Sequence, residues 1–361
     1  MARIELNEIV HSYHRNPKGE SDYALKRIHN VWEEGGAYAL LGPSGCGKTT
    51  LLNIVSGLLT PTRGRVLYDG KDVTELPPEK RNIAQVFQFP VLYDTMTVFD
   101  NLAFPLRNRG VEKEETTRRV LEVAEILELT PFLKKRAAGL AADAKQKISL
   151  GRGLVRSDVA AILFDEPLTV IDPQMKWHLR RKLKEIHEQL KLTLIYVTHD
   201  QVEAMTFADQ VAVMFEGEIV PVGSPEDLFE NPEHRFVGYF IGSPGMNFLE
   251  CTIEGNVARV DGAGIVLDDE TAAKGRKAKG KLELGIRPTH LEVHDEALDG
   301  RAQATVKTVE DLGSYKIVTL VLAHKTLRAT LPEEKPVPEG EVWLAFPPKW
   351  TRLFADGWLI G

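Results

Sequence analysis

Over the first two-thirds of the chain, short apolar runs alternate with stretches of helical period, the pattern of a sheet covered by helices. Ala37 to Leu41, Ile83 to Phe87, Ala160 to Phe164, Leu192 to Val197 and Gln210 to Phe215 read as strands, and Lys48 to Leu59 as a helix. Leu179, Leu183, Ile186 and Leu190 follow one another at spacings of four, three and four, which places them on the core face of a further helix. Between Phe89 and Val159 the strand pattern stops. Val120, Ala124 and Leu127 form a stripe in a charged background there, predicting an inserted helical subdomain over about 89–159. A second change falls at Ile241-Gly242-Ser243-Pro244-Gly245. Beyond it, Lys281 to Ile286, Ala302 to Val306, Ile317 to Leu322, Thr326 to Thr330 and Val342 to Phe346 are short β runs separated by Gly, Pro, Asp and Glu turns, as in a small barrel. The expected division is an α/β domain over 1–240 and an all-β domain over 241–361.

Length and composition agree with two domains: 361 residues, 43% of them hydrophobic. A formal charge of −7 gives no basic footprint for a nucleic-acid backbone or an anionic membrane surface, so no nucleic-acid partner is expected. No run approaches the roughly 20 apolar residues of a bilayer span, and the N-terminus has no apolar signal core. A soluble, unsecreted chain is expected. With only Cys46 and Cys251 there is no disulfide framework, which suits a reducing cytosol.

The chemistry is concentrated in two motifs. Gly42-Pro43-Ser44-Gly45-Cys46-Gly47-Lys48-Thr49-Thr50 contains the pattern G-x-x-x-x-G-K-[ST] between a predicted strand and a predicted helix, the context that gives such a match meaning. Its glycines let the backbone wrap phosphates and the helix N-terminus adds partial positive charge; Lys48 reaches the β and γ phosphates and the Thr49 hydroxyl ligates Mg2+. A glycine-rich turn with a purely structural role has no need of Lys48 and Thr49 in succession. Cys46 fills a variable position of the loop. Downstream, Ala161-Ile162-Leu163-Phe164 runs into Asp165-Glu166, two carboxylates at the carboxyl end of a strand, where open α/β sheets bind ligands. Asp165 is placed to hold Mg2+, and Glu166 to orient and deprotonate an attacking water. Together the motifs predict ATP binding and hydrolysis.

In these motifs the chain resembles the nucleotide-binding subunits of ABC transporters, most closely those of bacterial carbohydrate and polyol importers with an extra C-terminal domain. The resemblance covers nearly the whole length. It implies an α/β P-loop nucleotide hydrolase core with an inserted helical subdomain, followed by an OB-like domain. Gln88, in Val86-Phe87-Gln88, resembles the glutamine of the family's Q-loop, which touches Mg2+ and the γ-phosphate. His199, in Tyr196-Val197-Thr198-His199-Asp200-Gln201, resembles the switch histidine at the γ-phosphate. Asp172, in Leu168-Thr169-Val170-Ile171-Asp172, resembles the D-loop aspartate that crosses to the partner subunit, with Val170 and Ile171 a departure from the usual Ser-Ala-Leu-Asp. For the aromatic that stacks on adenine there are two candidates: Tyr13, which is preferred, and Tyr23, nearer the following strand. Leu284-Gly285-Ile286-Arg287-Pro288-Thr289-His290-Leu291 resembles a strand-turn of the OB-like domain, which lacks interleaved basic and aromatic residues and is expected to brace a dimer.

One stretch departs from the family. Where it carries Leu-Ser-Gly-Gly-Gln, facing the ATP on the partner's phosphate loop, this chain has Leu140-Ala141-Ala142-Asp143-Ala144. Ala141 removes a hydroxyl and Asp143 puts a carboxylate where a glycine amide would approach phosphate, a repulsion that Lys145 and Lys147 are positioned to offset in part. The resemblance thus implies a subunit at the cytoplasmic face of the inner membrane, docked on two permease subunits and served by an external solute-binding protein. The altered stretch suggests an asymmetric pair with a second ATPase, a homodimer being the alternative, and a glycerol-like polyol as substrate. The rival readings are a non-hydrolysing regulatory subunit and a soluble ABC-type ATPase outside transport.

Overall fold

The computed structural model describes residues 1–361 except 157, 170, 299, 338 and 339, and at 190 the backbone only. Val170 therefore lies outside the described residues, as does the Leu190 side chain. The chain forms two compact units, Met1–Pro225 and Glu226–Gly361.

In the first unit, β1 (Ile4–His11), β2 (Leu25–Trp32), β4 (Arg63–Tyr68) and β5 (Lys71–Asp72) make an antiparallel sheet in the order β2-β1-β4-β5. A second sheet has the order β10-β9-β3-β8-β7-β6, from β3 (Ala37–Leu41), β6 (Ala84–Val86), β7 (Ile162–Asp165), β8 (Leu194–Thr198), β9 (Gln210–Phe215) and β10 (Glu218–Gly223). It is parallel apart from β10 on β9. Every residue of β3, β7 and β8 is buried, as a parallel sheet covered on both faces requires. The two sheets share one core. Leu51, Leu52, Ile54 and Val55 of α1 (Lys48–Ser56) lie in it with Ile4, Leu6 and Ile28 from the antiparallel sheet and Leu40, Ile195 and Val197 from the parallel one. That packing anchors the helix behind the phosphate loop. Gly57 ends it in the left-handed conformation, its N–H on the Ile54 carbonyl, so the helix stops short of Leu59.

Between β6 and β7 come α3 (Val98–Arg107), α4 (Lys113–Ile126) and α5 (Ala142–Leu154), with a four-residue α2 (Pro78–Arg81) before β6. The stripe of Val120, Ala124 and Leu127 is fully buried. In α6 (Pro173–Leu190), Leu179, Leu183 and Ile186 are buried as their spacing predicts. The short α7 (Gln201–Phe207) follows β8.

The second unit holds three antiparallel sheets around a single core that includes Leu284, Ile286, Leu320 and Leu344. The predicted runs appear as Leu282–Ile286, Ala302–Asp311, Tyr315–Leu322, Lys325–Pro332 and Glu341–Ala345, accompanied by shorter strands and preceded by the helices Pro225–Glu230, Arg235–Phe240 and Asp269–Lys277. The second compact unit begins at Glu226, ahead of the composition change at 241–245. The reason is Arg287: its buried guanidinium donates to the carbonyls of Leu228, Phe229, Gly238 and Ile241, which fastens the segment before 241 to the β unit. Burial pushes this arginine down to about 10, and four carbonyl acceptors are what satisfy its donors.

Candidate functional site

The phosphate loop connects β3 to α1, and its two outer glycines are required by contact. A Cβ on Gly42 would lie 2.4 Å from the Met214 carbonyl oxygen, and one on Gly47, at φ 103°, 2.6 Å from that of Ala24. Lys48 opens the helix but its side chain turns back into the loop. Nζ donates to the carbonyls of Gly42 at 2.9 Å and Pro43 at 3.0 Å, and the residue is only 5% exposed. The cation is thus held in the concavity that the loop backbone makes around Ser44 and Gly45. Burial pushes the Cys46 thiol up, against the pull of Lys48, so this cysteine is a packing residue of the loop.

The end of β7 meets this loop. Thr49 Oγ1 donates to Asp165 Oδ1 at 3.2 Å. Burial raises the Asp165 carboxyl above its usual range; the Thr49 bond and Lys48 oppose the rise and the neighbouring Glu166 charge adds to it. Glu166 has φ 47°, a left-handed conformation uncommon outside glycine, and its N–H is tied to the Val197 carbonyl at 2.9 Å. This turn brings its carboxylate to 3.0 Å between Oε2 and Nδ1 of His199, which follows the adjacent strand β8. His199 is itself braced from below. Glu203, buried in α7, accepts from Tyr196 Oη at 3.0 Å and Thr198 Oγ1 at 2.8 Å, and Asp200 caps that helix through the N–H groups of Val202 and Glu203.

The structure thus brings together Lys48, Thr49, Asp165, Glu166 and His199 at the carboxyl ends of β3, β7 and β8. Tyr13 joins them from the antiparallel sheet. It is 66% exposed, its hydroxyl shares a hydrogen bond of 3.1 Å with Thr50 Oγ1, and His11 packs edge-on against its ring. Tyr23 is half-buried, its backbone N–H closing a turn on Glu20. Gln88 is half-buried just beyond β6, between the exposed rings of Phe87 and Phe89.

The remaining residues lie on other surfaces. Asp172 caps α6, accepting from the Gln174 N–H at 3.0 Å. Ala141 is the N-cap of α5 and has no side chain to accept from the first turn, whereas Asp143 lies in that turn. A carboxylate there favours the helix dipole of its own chain, which explains how it is tolerated locally. Ala141 and Ala142 are exposed. Lys145 and Lys147 are not paired with Asp143: Lys145 Nζ is paired with Asp94 at 2.9 Å and Lys147 Nζ with Glu128 at 3.3 Å. Gln146, between them, is fully buried, and no chemistry was expected of it. Its signal was faint: a polar residue in register with Ser149, Leu150 and Gly153 on the buried face of α5.

Among the described residues no helix is long and apolar enough to cross a membrane. The family model for ABC transporters matches residues 25–169, that for the MalK OB fold domain 242–291, and that for the TOBE domain 284–354. The chain is 38% identical over 351 residues to the uncharacterized ABC transporter ATP-binding protein YurJ of Bacillus subtilis, covering 94% of each. It is 39% identical to the sn-glycerol-3-phosphate import ATP-binding protein UgpC of Salmonella typhi, over 99% of this chain and 98% of that protein. The trehalose/maltose import ATP-binding protein MalK of Thermococcus litoralis is 40% identical, over 92% and 93% of the two. Among solved structures, cbiO1 from Clostridium perfringens superposes with a TM-score of 0.57 at 26% identity, over 63% of this chain and 90% of that one. The dimeric ATP-binding cassette MJ0796 bound to ADP and Pi superposes at 0.55 and 27%, over 62% and 98%. With Lys48, Thr49, Asp165, Glu166 and His199 brought together as above and relatives aligned over almost its full length, the chain belongs to the ABC transporter ATP-binding proteins and is an ATPase, its P-loop domain followed by MalK-type OB and TOBE domains.

Proposed function

We propose that this subunit drives uptake of a small carbohydrate or polyol, a glycerol-like substrate or its phosphate, from the cytoplasmic face of the inner membrane. It acts through two permease subunits to which an external solute-binding protein delivers the substrate. The observation that carries the reading is the phosphate loop with Lys48 folded into it and Thr49 bonded to Asp165. Relatives named for import of sn-glycerol-3-phosphate and of trehalose/maltose support the substrate class.

In this reading the backbone of Gly42 to Thr50 and Lys48 Nζ hold the ATP phosphates, and Tyr13 stacks on adenine. The hydroxyl of Thr49 and the carboxylate of Asp165 are hard oxygen donors close enough to share one cation, with Gln88 as a third oxygen from the Q-loop. Such a set fits Mg2+, which takes few protein ligands beside phosphates and water. When bound, Mg2+ neutralises charge on the β and γ phosphates. Glu166 accepts the proton of the attacking water, and His199, held against it at 3.0 Å, orients the carboxylate and donates to the γ-phosphate. The test is the complete transporter in proteoliposomes with glycerol, sn-glycerol-3-phosphate and maltose offered separately. ATP-dependent accumulation of one of them is expected; ATP hydrolysis indifferent to all three and to the binding protein would overturn the importer reading.

The exposed start of α5 favours a division of labour. This chain's ATP faces the signature of a second ATPase and turns over, while the partner's ATP faces Ala141, Ala142 and Asp143 and turns over slowly. With Lys145 and Lys147 engaged elsewhere, Asp143 acts on phosphate unscreened by them, a repulsion of about 1–3 kcal/mol at protein-surface dielectric. The triple change Ala141→Ser, Ala142→Gly, Asp143→Gly is expected to tighten nucleotide binding at the partner's site about tenfold or more. Unchanged nucleotide affinity at that site counts against the repulsion. Native mass spectrometry of the complex should give two different ATPase masses, and a single mass rules out the asymmetric pair.

A further inference from the structure

Gln146 is fully buried on α5, one turn beyond Asp143, yet half of its amide has no partner. Nε2 donates to the Pro167 carbonyl at 2.7 Å and, at the limit of a hydrogen bond, to the Phe87 carbonyl at 3.4 Å. Oε1 meets no donor among the described residues. The two acceptors are not incidental pieces of backbone. Phe87 immediately precedes Gln88 of the Q-loop, and Pro167 immediately follows Glu166. One side chain from the signature helix therefore touches the two segments that flank the proposed site of hydrolysis.

We propose that Gln146 is a positioning residue for ATP hydrolysis, which ties the Q-loop to the turn carrying Glu166 and thereby relates the place of the carboxylate to that of the loop. The unequal bonds give the tie a direction. The long bond to Phe87 is the weaker and yields first when the Q-loop moves, and Oε1 is then free to accept a backbone N–H from the displaced loop. The short bond to Pro167 keeps α5 attached to the Glu166 turn throughout. A plain filler of a polar hole predicts otherwise. A methionine of similar length would then support turnover as well as glutamine, because the buried acceptor that lacks a donor is removed as the donor to Pro167 is lost.

The inference rests on the proposed role of Glu166, so the experiment carries Glu166→Gln as a control in the same assembled transporter. For Gln146→Met, kcat for substrate-stimulated ATP hydrolysis is expected to fall about tenfold through misplacement of the carboxylate, with KM for ATP within about twofold and the melting temperature lowered by no more than about 5 °C, the cost of leaving the Pro167 carbonyl without its donor. Gln146→Glu keeps the length and loses the donor, and provides the readout should the methionine variant fail to assemble. Its kcat relative to the parent is expected to recover as pH falls, because a protonated carboxyl donates again to Pro167. Parental kcat in Gln146→Met, a kcat loss accompanied by a melting temperature lowered by more than about 5 °C, or a pH profile of Gln146→Glu parallel to the parent's each overturns the tie. If Glu166→Gln itself leaves turnover intact, the reading of the active site fails and the tie with it; if Glu166→Gln abolishes turnover while Gln146→Met retains it, the tie alone fails.

Discussion

Glu166→Gln in this chain alone is expected to lower steady-state ATP turnover of the assembled complex about 10²- to 10⁴-fold, the range for loss of a positioned general base. ATP affinity should change less than about threefold, because the carboxylate makes no bond that holds the phosphates. The substitution is close to isosteric, which isolates charge and basicity from shape. What makes the effect large is the restraint on this side chain. Its backbone is held at φ 47° at a cost of order 1–3 kcal/mol, its N–H is pinned to Val197, and Thr169 Oγ1 donates to its carbonyl at 3.1 Å. Such restraint fixes the Glu166 carboxylate at His199 in place of the many positions an exposed glutamate samples, and an amide in that place can still hydrogen-bond the imidazole but cannot take the proton. Turnover within threefold of the parent, with nucleotide still bound, would move the working site to the partner subunit and reverse the proposed division of labour.

The parts that were legible in the sequence share a cause. Ala37 to Leu41 and Ile162 to Asp165 are buried along their whole length, so they appear as unbroken apolar runs, and each ends on a motif whose spacing carries its own meaning. The antiparallel sheet of the first unit was not anticipated. In β1 the buried Ile4 and Leu6 are two apart but Ile9 comes three later, because Glu8 at φ 55° forms an irregularity that resets the register, and an interrupted period of two does not read as a strand. The attachment of the segment ahead of 241 has a different reason for being hidden. Pro225–Glu230 and Arg235–Phe240 are helical in pattern and continue the α/β rhythm, and only remote partners, among them Arg287, Glu283 and Gly357, join them to the β unit. Remote partners also hid the pairing of Lys145 and Lys147. Asp94 and Glu128 lie outside α5 in sequence, as do the partners of Gln146, Phe87 and Pro167, so neither the lysine pairs nor the glutamine contacts can be read from the residues around the signature.

Lys48→Ala is expected to weaken ATP binding about 10²- to 10³-fold, which corresponds to roughly 3–4 kcal/mol and to the loss of about two charge-assisted hydrogen bonds with phosphate. The gross attraction of a buried ammonium for a triphosphate is larger than this, but part of it is already met by the protein. Nζ is satisfied by the carbonyls of Gly42 and Pro43, and a bound phosphate must compete with those bonds for it. The measured loss is therefore a difference, smaller than removal of a free cation would give. The same contacts predict a second consequence. In the variant the two carbonyls lose a donor and face an emptied concavity, so the loop is less well held without nucleotide, while the helix behind it stays anchored by Leu51, Leu52 and Val55. Thermal unfolding with and without ATP separates the two effects. The parent should be stabilised by saturating nucleotide and the variant should not, at concentrations near 100 times the parental Kd where linkage gives about 2.7 kcal/mol. If the variant keeps the full nucleotide-dependent shift, the phosphates are held by the loop amides and helix N-terminus alone, and Lys48 must be reassigned to closing the loop.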